Sequence, residues 1–201
     1  MSKTSIFITG VGGQGSLMAS KIIAKAAMNA GQTVLVSEVH GMAQRGGVVE
    51  STVKIGDVHS PILLDGDADI LIGFELSETL RALRKVSAKT TILTSTDMIV
   101  PITVSLGKGK YPDPKSTIAE IEKAGKVVLP LNLVELANQA GNVITANIVM
   151  IGALAGSGLL PFDEKYLKEA MESSVPERAL EVNRMAYNLG RGAVTNTEVV
   201  A

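Results

Sequence analysis

The sequence predicts an α/β protein of the Rossmann-like class, with a mostly parallel sheet, helices on both faces, an antiparallel hairpin excursion and a C-terminal helical tail over about residues 161–190. Short apolar runs alternate along the chain with longer segments whose apolar residues recur at helical spacing. The first run ends in a cluster of glycines before a helical segment, which is typical of a βαβ unit. With 201 residues, of which 46% are hydrophobic, the chain is long enough for one domain over 1–201.

The N-terminal third contains the clearest βαβ pattern. A strand is predicted at 6–8, and a helix at 17–30, where small and apolar residues recur at helical spacing. The next strand is predicted at 33–36, and its unbroken apolarity indicates burial on both faces, as in a parallel sheet. The sheet is therefore expected to be parallel at this point.

The middle of the chain predicts one hairpin and more of the sheet. The segments 48–55 and 58–64 flank Gly56-Asp57, a dipeptide typical of β-hairpin turns, so the antiparallel excursion is expected there. The loop 107–114, rich in glycine and proline, interrupts the pattern. Four further short apolar runs predict strands: 68–74, 91–93, 102–104 and 127–129.

Helices are predicted where apolar spacing and capping residues agree. Thr117 and Glu120 fit a capping box, which would start one helix there, and Gly125 is expected to end it. Asp163 is expected to cap the first helix of the tail. The other predicted helices occupy about 77–86, 132–141, 146–155, 163–173 and 177–189.

Composition excludes several classes of function. The chain has 19 basic and 20 acidic residues and only 3% aromatic residues, which does not favour nucleic-acid binding. We expect no membrane helix, because no apolar stretch approaches about 20 residues, and a cytoplasmic location, because no signal peptide is recognisable. Without cysteine the chain cannot by itself hold a thiolate zinc site or a Cys-ligated iron–sulfur cluster, and no metal site is predicted.

The first glycine cluster has the spacing of a dinucleotide-binding turn. Gly10, Gly12 and Gly15 follow a predicted strand and precede a helix, and Glu38 lies near the end of the next strand, where a ribose-binding acid would sit. Glycines let backbone amides approach an anion, and the helix N-terminus adds partial positive charge. Any phosphate or carboxylate would suit such a turn. The alternative is that Gly12 and Gly15 only permit a tight turn.

A second glycine cluster lies in the loop 37–47, among polar side chains. Arg45 beside Gly46 can present a guanidinium to phosphate or carboxylate, with a solvated loop arginine as the alternative. Glu38 and His40 are weak candidates for acid–base catalysis, against an ion pair of Glu38 with Arg45 and a structural role for His40. The two clusters suggest one anion-binding crevice with these candidate residues: Gly10, Gly12, Gly13, Gln14, Gly15, Arg45 and Gly46.

Together these motifs resemble the gamma-type subunit or domain of the 2-oxoacid:ferredoxin oxidoreductases, and within that family the indolepyruvate type. The similar segments are Gly-x-Gly-Gly-Gln-Gly at 10–15, Ser-Glu-x-His-Gly-Met-Ala-Gln-Arg-Gly-Gly at 37–47, Ser60-Pro61 and Asp67-Ala68-Asp69. The resemblance covers roughly residues 5–190. It implies a Rossmann-like α/β fold, which agrees with the pattern of apolar runs.

The resemblance also implies a division of labour. In such enzymes a 2-oxoacid is decarboxylated on thiamine diphosphate, electrons pass through iron–sulfur clusters to ferredoxin, and the acyl group passes to coenzyme A. Thiamine diphosphate, magnesium and the clusters are then expected on larger partner subunits, so that this chain is active only in the complex. Gly12–Gly15 and Arg45 are expected at a coenzyme A site or a subunit interface.

The same residues are compatible with two other functions. A free-standing NAD- or FAD-dependent oxidoreductase would use the same glycine turn, and so would a nucleotide-binding interaction module. If the chain is a subunit, its uncovered partner surface would favour a homodimer of the isolated chain.

Overall fold

A computed structural model describes residues 3–41 and 46–195, and within them contains a six-stranded sheet with helices on both faces, as predicted. The strands are β1 (Thr4–Val11), β2 (Val34–His40), β3 (Val48–Ile55), β4 (Ile70–Gly73), β5 (Thr91–Ser95) and β6 (Val127–Leu131). The helices are α1 (Ser16–Asn29), α2 (Leu76–Ala82), α3 (Ile102–Ser105), α4 (Pro114–Ala124), α5 (Leu133–Ala140), α6 (Ala146–Gly156), α7 (Glu164–Glu172) and α8 (Leu180–Thr195). None of the helices in these ranges is long and apolar enough to cross a lipid bilayer.

The sheet is mixed, with strand order β2-β3-β1-β4-β5-β6. β1, β4, β5 and β6 are parallel, whereas β3 runs antiparallel to both of its neighbours, β1 and β2. β1 and β2 therefore point the same way, as expected of a βαβ unit, but β3 lies between them. The prediction of a parallel sheet at β2 was wrong, since β3 follows β2 along the chain and pairs with it locally.

The antiparallel hairpin is thus β2–β3, and the predicted pairing of 48–55 with 58–64 was wrong. The residues 58–64 form no strand, because the chain leaves the sheet at Gly56, whose φ is 96° and whose N–H donates to the carbonyl oxygen of Thr33. β2 is an edge strand in which no residue is buried. Its apolar run therefore did not indicate burial on both faces.

The central strands carry apolar side chains toward two separate cores. Along β1, Ile6 and Ile8 contribute to one core and Phe7 to the other, because successive side chains of a strand point to opposite faces. The first core is covered by α1, α5, α6, α7 and α8, and the second by α2 and α4. This two-sided burial explains why the central strands are continuous apolar runs.

The C-terminal helices form as predicted, and α8 packs tightly on α6. A Cβ atom at Gly152 would lie 2.0 Å from the carbonyl oxygen of Tyr187, and one at Gly156 would lie 2.6 Å from that of Arg191. Glycine at both positions is therefore required by the α6–α8 contact. Asp163 caps α7 as predicted, with its side chain accepting from the Lys165 N–H.

Two local predictions failed for identifiable reasons. Residues 102–104 belong to the short helix α3 and not to a strand, since Pro101 occupies its N-cap position. α4 begins at Pro114 with Asp113 as its cap, so Thr117 lies buried inside the helix and starts no capping box. An aspartate followed by proline is a strong helix start, and it preceded the threonine. The predicted end of this helix at Gly125 is confirmed.

Candidate functional site

The two glycine clusters meet at the carboxyl end of β1. The Gly12 N–H donates to the carbonyl oxygen of Gly47 at 2.9 Å, so the turn after β1 is hydrogen-bonded to the segment that enters β3. Between them lies a cavity of about 420 Å³, here called the glycine crevice. Its described walls are Gly12, Gly13, Gly15, Ser16, Leu17, Met18, His40, Gly41, Gly46, Gly47, Val48 and Val49.

Glycine is needed at different positions of the turn for different structural reasons. Gly13 and Gly15 have φ of 105° and 80°, a left-handed conformation that favours glycine. A Cβ at Gly15 would lie 2.7 Å from the Asn147 side-chain nitrogen, whereas a Cβ at Gly13 would meet open space. Gly10 lies in β1, where a Cβ would be 2.9 Å from the Phe74 Cβ atom. Gly10 therefore serves packing, and Gly13 borders the open crevice.

Gln14 fixes the shape of this turn. Its Oε1 accepts from the Val11 N–H at 2.8 Å, and its Nε2 donates to the carbonyl oxygen of Phe74 at 2.7 Å. The carboxamide thus joins the end of β1 to the end of β4. Because both ends of this group are bonded within the chain, Gln14 holds the turn in place.

The N-terminus of α1 faces the crevice without a polar cap. Gly15 occupies the N-cap position and provides no side chain, and the first turn contains no acidic residue. The first amides of a helix lack intrahelical partners and carry partial positive charge, so an uncapped end favours an anionic ligand. Arg45, the predicted cationic contributor to this crevice, lies outside the described residues.

Glu38 and His40 do not form a close pair. The Glu38 Oε2 atom lies 4.0 Å from the His40 Nε2, and its Oε1 lies 3.5 Å from the Ser20 hydroxyl. His40 lines the crevice with half of its side chain exposed. β3 also separates Glu38 from β1, whereas the ribose-binding acid of a dinucleotide fold lies on the strand beside the glycine turn. This arrangement does not favour binding of a dinucleotide such as NAD or FAD.

A larger cavity opens on the other side of the turn and was not predicted. This α6 pocket, of about 930 Å³, lies between the glycine turn, the segment after β5 and the starts of α5, α6 and α8. Most of its walls are apolar, and Asn147 and Asn183 are buried polar residues among them. One feature of the sequence could have indicated this pocket, because Asn147 is the single hydrogen-bonding side chain in the apolar run 146–155.

Glu75, which the sequence analysis missed, anchors the segment that borders this pocket. It follows β4, is fully buried, and accepts from the Ser77 hydroxyl at 2.7 Å and from the Glu78 N–H at 2.9 Å, which caps α2. The Ile99 N–H at 3.1 Å and the Tyr111 hydroxyl also donate to it. Burial, and then the bond and charge of Glu75, raise the pKa of Tyr111 to about 12.

Several exposed apolar side chains line the α6 pocket or lie near these residues in sequence. Ile102 and Ile144 expose 73% and 79% of their surface, and they are part of a set at 98–106 and at the starts of α5 and α6. Such a concentration is typical of a surface that another protein covers. This apolar rim consists of Met98, Ile99, Val100, Ile102, Leu106, Val134, Val143 and Ile144.

Comparison with known proteins decides the family. The sequence model of the pyruvate ferredoxin/flavodoxin oxidoreductase family matches residues 5–193. The chain belongs to this family. It is 40% identical over 188 residues to indolepyruvate oxidoreductase subunit IorB of Archaeoglobus fulgidus, covering 94% of each chain. It is 41% identical over 193 residues to that of Pyrococcus horikoshii, covering 94% of this chain and 95% of the relative.

Solved structures of related proteins have the same fold as this chain. The keto/oxoacid ferredoxin oxidoreductase gamma subunit of Geobacter sulfurreducens is 26% identical, with a TM-score of 0.71 and coverage of 96% of this chain and 99% of that one. The 2-oxoglutarate:ferredoxin oxidoreductase of Magnetococcus marinus, solved with coenzyme A bound, has a TM-score of 0.74 at 21% identity. The present chain covers 32% of it, and the likeness concerns the fold. The predicted family and fold class are confirmed.

Proposed function

We propose that this subunit of a 2-oxoacid:ferredoxin oxidoreductase belongs to a complex that acts on indolepyruvate. The complex would oxidatively decarboxylate the 2-oxoacid to an acyl-coenzyme A and reduce ferredoxin. The observation that supports this proposal is a difference in sequence identity over nearly the whole chain. The identity is 37–41% to four indolepyruvate oxidoreductase subunits and 26% to two 2-oxoglutarate synthase subunits. The preference for an aryl oxoacid rests on this difference.

The division of labour follows from what the chain lacks in its sequence. Having no cysteine, it supplies no thiolate to an iron–sulfur cluster, which supports a place for the clusters on larger partner subunits. Thiamine diphosphate with its magnesium is assigned to the partner as well, where it would supply the decarboxylation chemistry. Ferredoxin is then reached only through the partner, and a cytoplasmic location is proposed for the complex.

The apolar rim is the surface proposed to pack against the larger partner subunit. Five of its eight side chains line the α6 pocket, and removing the exposed apolar surface of the rim from water would stabilise an assembly. A homodimer of the isolated chain through the same rim stays a prediction.

The glycine crevice is proposed to bind the anionic end of coenzyme A. The uncapped α1 N-terminus and the open space beside Gly13 support an anion at this place. Gly10 and Gln14 would contribute indirectly, since they hold the turn by packing and by internal hydrogen bonds. The proposed contacts are Gly12, Gly13, Gly15, Arg45 and Gly46.

Purification through a tag on this chain tests the proposal. The expected product is a complex with a larger, brown subunit that reduces ferredoxin or viologen only when both a 2-oxoacid and coenzyme A are present. Indolepyruvate should give a higher kcat/KM than pyruvate or 2-oxoglutarate. A colourless chain that purifies alone and binds NAD would contradict the proposal, and a complex that prefers pyruvate would contradict its substrate.

A further inference from the structure

The two edges of the sheet are built differently. The β6 edge contains Pro130, which is exposed and has no N–H to offer to a further strand. β2, at the other edge, contains neither proline nor lysine, which commonly protect an edge strand, and it pairs with β3 without a bulge. Val36 and Val39 of β2 expose 38% and 60% of their surface. The β2 edge therefore lacks the usual protection against pairing with another strand.

The free main-chain groups of β2 follow from its pairing with β3. The Gly56 N–H donates to the Thr33 carbonyl oxygen at 2.9 Å. The Gly41 N–H donates to the Val48 carbonyl oxygen at the same distance. Bonding residues alternate along an antiparallel pair, so the odd-numbered residues of β2 bond to β3. The N–H and C=O groups of 34, 36, 38 and 40 point away from the sheet, and no strand in the described part of the chain pairs with them.

The charged side chains of β2 are in a self-complementary order. Glu38 and His40 lie two positions apart, so they share one face of the strand, and their side chains are 27% and 51% exposed. The distance of 4.0 Å between Glu38 Oε2 and His40 Nε2 is too long for a hydrogen bond within the chain. Both side chains can therefore bond to groups of another molecule.

Two copies of β2 that pair antiparallel about a two-fold axis at Val39 match these groups. Glu38 of one copy lies opposite His40 of the other, and their free main-chain N–H and C=O groups bond across the axis. The imidazole can donate an N–H to the facing carboxylate. Val39, the most exposed apolar residue of β2, packs against its own copy on the opposite face.

Neighbouring registers do not match in this way. An axis at Glu38 would set two carboxylates opposite each other, and like charges in directly opposed positions are destabilising. An axis at Val36 or Ser37 would set Glu38 opposite an apolar side chain. The charges therefore select the axis at Val39.

We infer that β2 pairs with β2 of a second copy of this chain, which joins the two six-stranded sheets across a two-fold axis at Val39. A two-fold contact requires a patch that is its own complement, and the β2 edge is such a patch. β3, β1 and β4 separate β2 from β5, after which the rim residues 98–106 follow, so the apolar rim stays free for the larger subunit. The inference goes beyond the proposed function, because it gives the complex at least two copies of this chain.

A single introduced cysteine tests the register, because the chain has no cysteine of its own. The two Val39 residues would face each other as a pair without mutual hydrogen bonds, where side chains come close enough for a disulfide. Under mild oxidation of the purified complex, we expect Val39→Cys to give a disulfide-linked pair of these chains. The matched control Val36→Cys, on the same edge, should give none, because the two positions would lie about 20 Å apart.

Exchange of the two charged residues tests the pairing of side chains. Glu38→His sets two imidazoles opposite each other, and His40→Glu sets two carboxylates opposite each other. Each should raise the dissociation constant of the full-length chain at least about tenfold, measured by analytical ultracentrifugation. The double variant E38H/H40E restores the opposite order and should return to within about threefold of wild type.

Four outcomes would overturn the inference. These are a disulfide with V36C but not with V39C, a disulfide that links V39C to the larger subunit, a wild-type chain that is monomeric at about 100 μM, and a double variant as weak as the single variants. A dimer that none of the β2 changes affects would also overturn it and would favour contact through the apolar rim. The proposed function is unaffected by these results, since it fails only if no larger subunit and no oxoacid-dependent activity accompany the chain.

Discussion

The glycine crevice and the α6 pocket share one turn but are built from different parts of the chain. The described walls of the crevice come from short segments at 12–18, 40–41 and 46–49, and half of the lining residues are glycines, which offer only backbone. The pocket consists of side chains drawn from segments as distant in sequence as Gly13 and Asn183. Backbone sites need glycine at fixed spacing and so leave a motif, whereas a side-chain pocket exists only after distant helices have packed.

Breaking the α6–α8 contact should have the largest effect. Gly152→Ala would place a Cβ 2.0 Å from the Tyr187 carbonyl oxygen, which no side-chain movement can relieve. We expect a loss of at least about 3 kcal/mol in the free energy of unfolding, measured by urea denaturation. The control Gly192→Ala, in α8 with open space at its Cβ, should stabilise by about 1 kcal/mol. Equal stability of G152A and wild type would contradict the described packing.

Removing the internal bonds of the turn should disturb both cavities. Gln14→Leu leaves the Val11 N–H and the Phe74 carbonyl oxygen without the partner they have now. A loss of about 2 kcal/mol is expected, because both groups are part-buried. Differential scanning calorimetry measures it. If Q14L kept full stability but lost coenzyme A affinity, Gln14 would be a ligand contact and not a support of the turn.

Loss of the side-chain hydroxyl should affect stability in opposite ways at Tyr111 and at Tyr187 when measured at neutral pH. Tyr111→Phe loses the hydrogen bond to Glu75 and should destabilise by about 1 kcal/mol. Tyr187→Phe removes a buried hydroxyl that has no partner in the described chain, so its stability should equal or slightly exceed that of wild type. Comparison of the urea midpoints of both variants with wild type at pH 7 tests this difference. Equal destabilisation of the two variants would contradict the hydrogen bonding described for the two hydroxyls.

The same tyrosines predict a loss of stability at alkaline pH. Burial is the first cause that raises the pKa of each to about 12 from an unfolded value of 10.0. The folded state therefore keeps protons that the unfolded state loses, so stability is complete below pH 10 and falls as the pH rises toward 12. Each Phe variant should flatten this decline in unfolding experiments at pH 9 to 11.5. An unchanged slope in both would contradict the shifted pKa values.

The smallest effect is expected on the crevice side, at His40. Its Nε2 lies 4.0 Å from the Glu38 Oε2, and half of its side chain is exposed. His40→Asn should change the free energy of unfolding by less than about 0.5 kcal/mol and kcat by less than about threefold. Steady-state kinetics of the complex check this. A hundredfold loss of kcat with an unchanged KM would make His40 a catalytic residue.

The sequence by itself determined the features that depend on local backbone geometry or on burial of continuous apolar runs. The glycine turn follows from Gly13, Gly15 and Gly46, whose positive φ favours glycine. The helix end at Gly125 has a different reason, because a Cβ there would lie 2.9 Å from the Thr90 carbonyl oxygen. The strands β4 and β5 were predictable because both their faces are covered, and β6, although it lies at the edge of the sheet, is also a continuous apolar run. The family followed from the same glycine clusters.

Only the tertiary structure decided which elements lie side by side. The sequence pattern allowed β3 to pair with 58–64 or with β2, and in the folded sheet β3 lies between β2 and β1. The α6 pocket arises because Gly152 and Gly190 let α8 approach α6 to backbone contact. Asn147 and Asn183 acquire their surroundings from that packing, and Glu75 acquires its partners from the segments of Ile99 and Tyr111, which no local pattern of residues specifies.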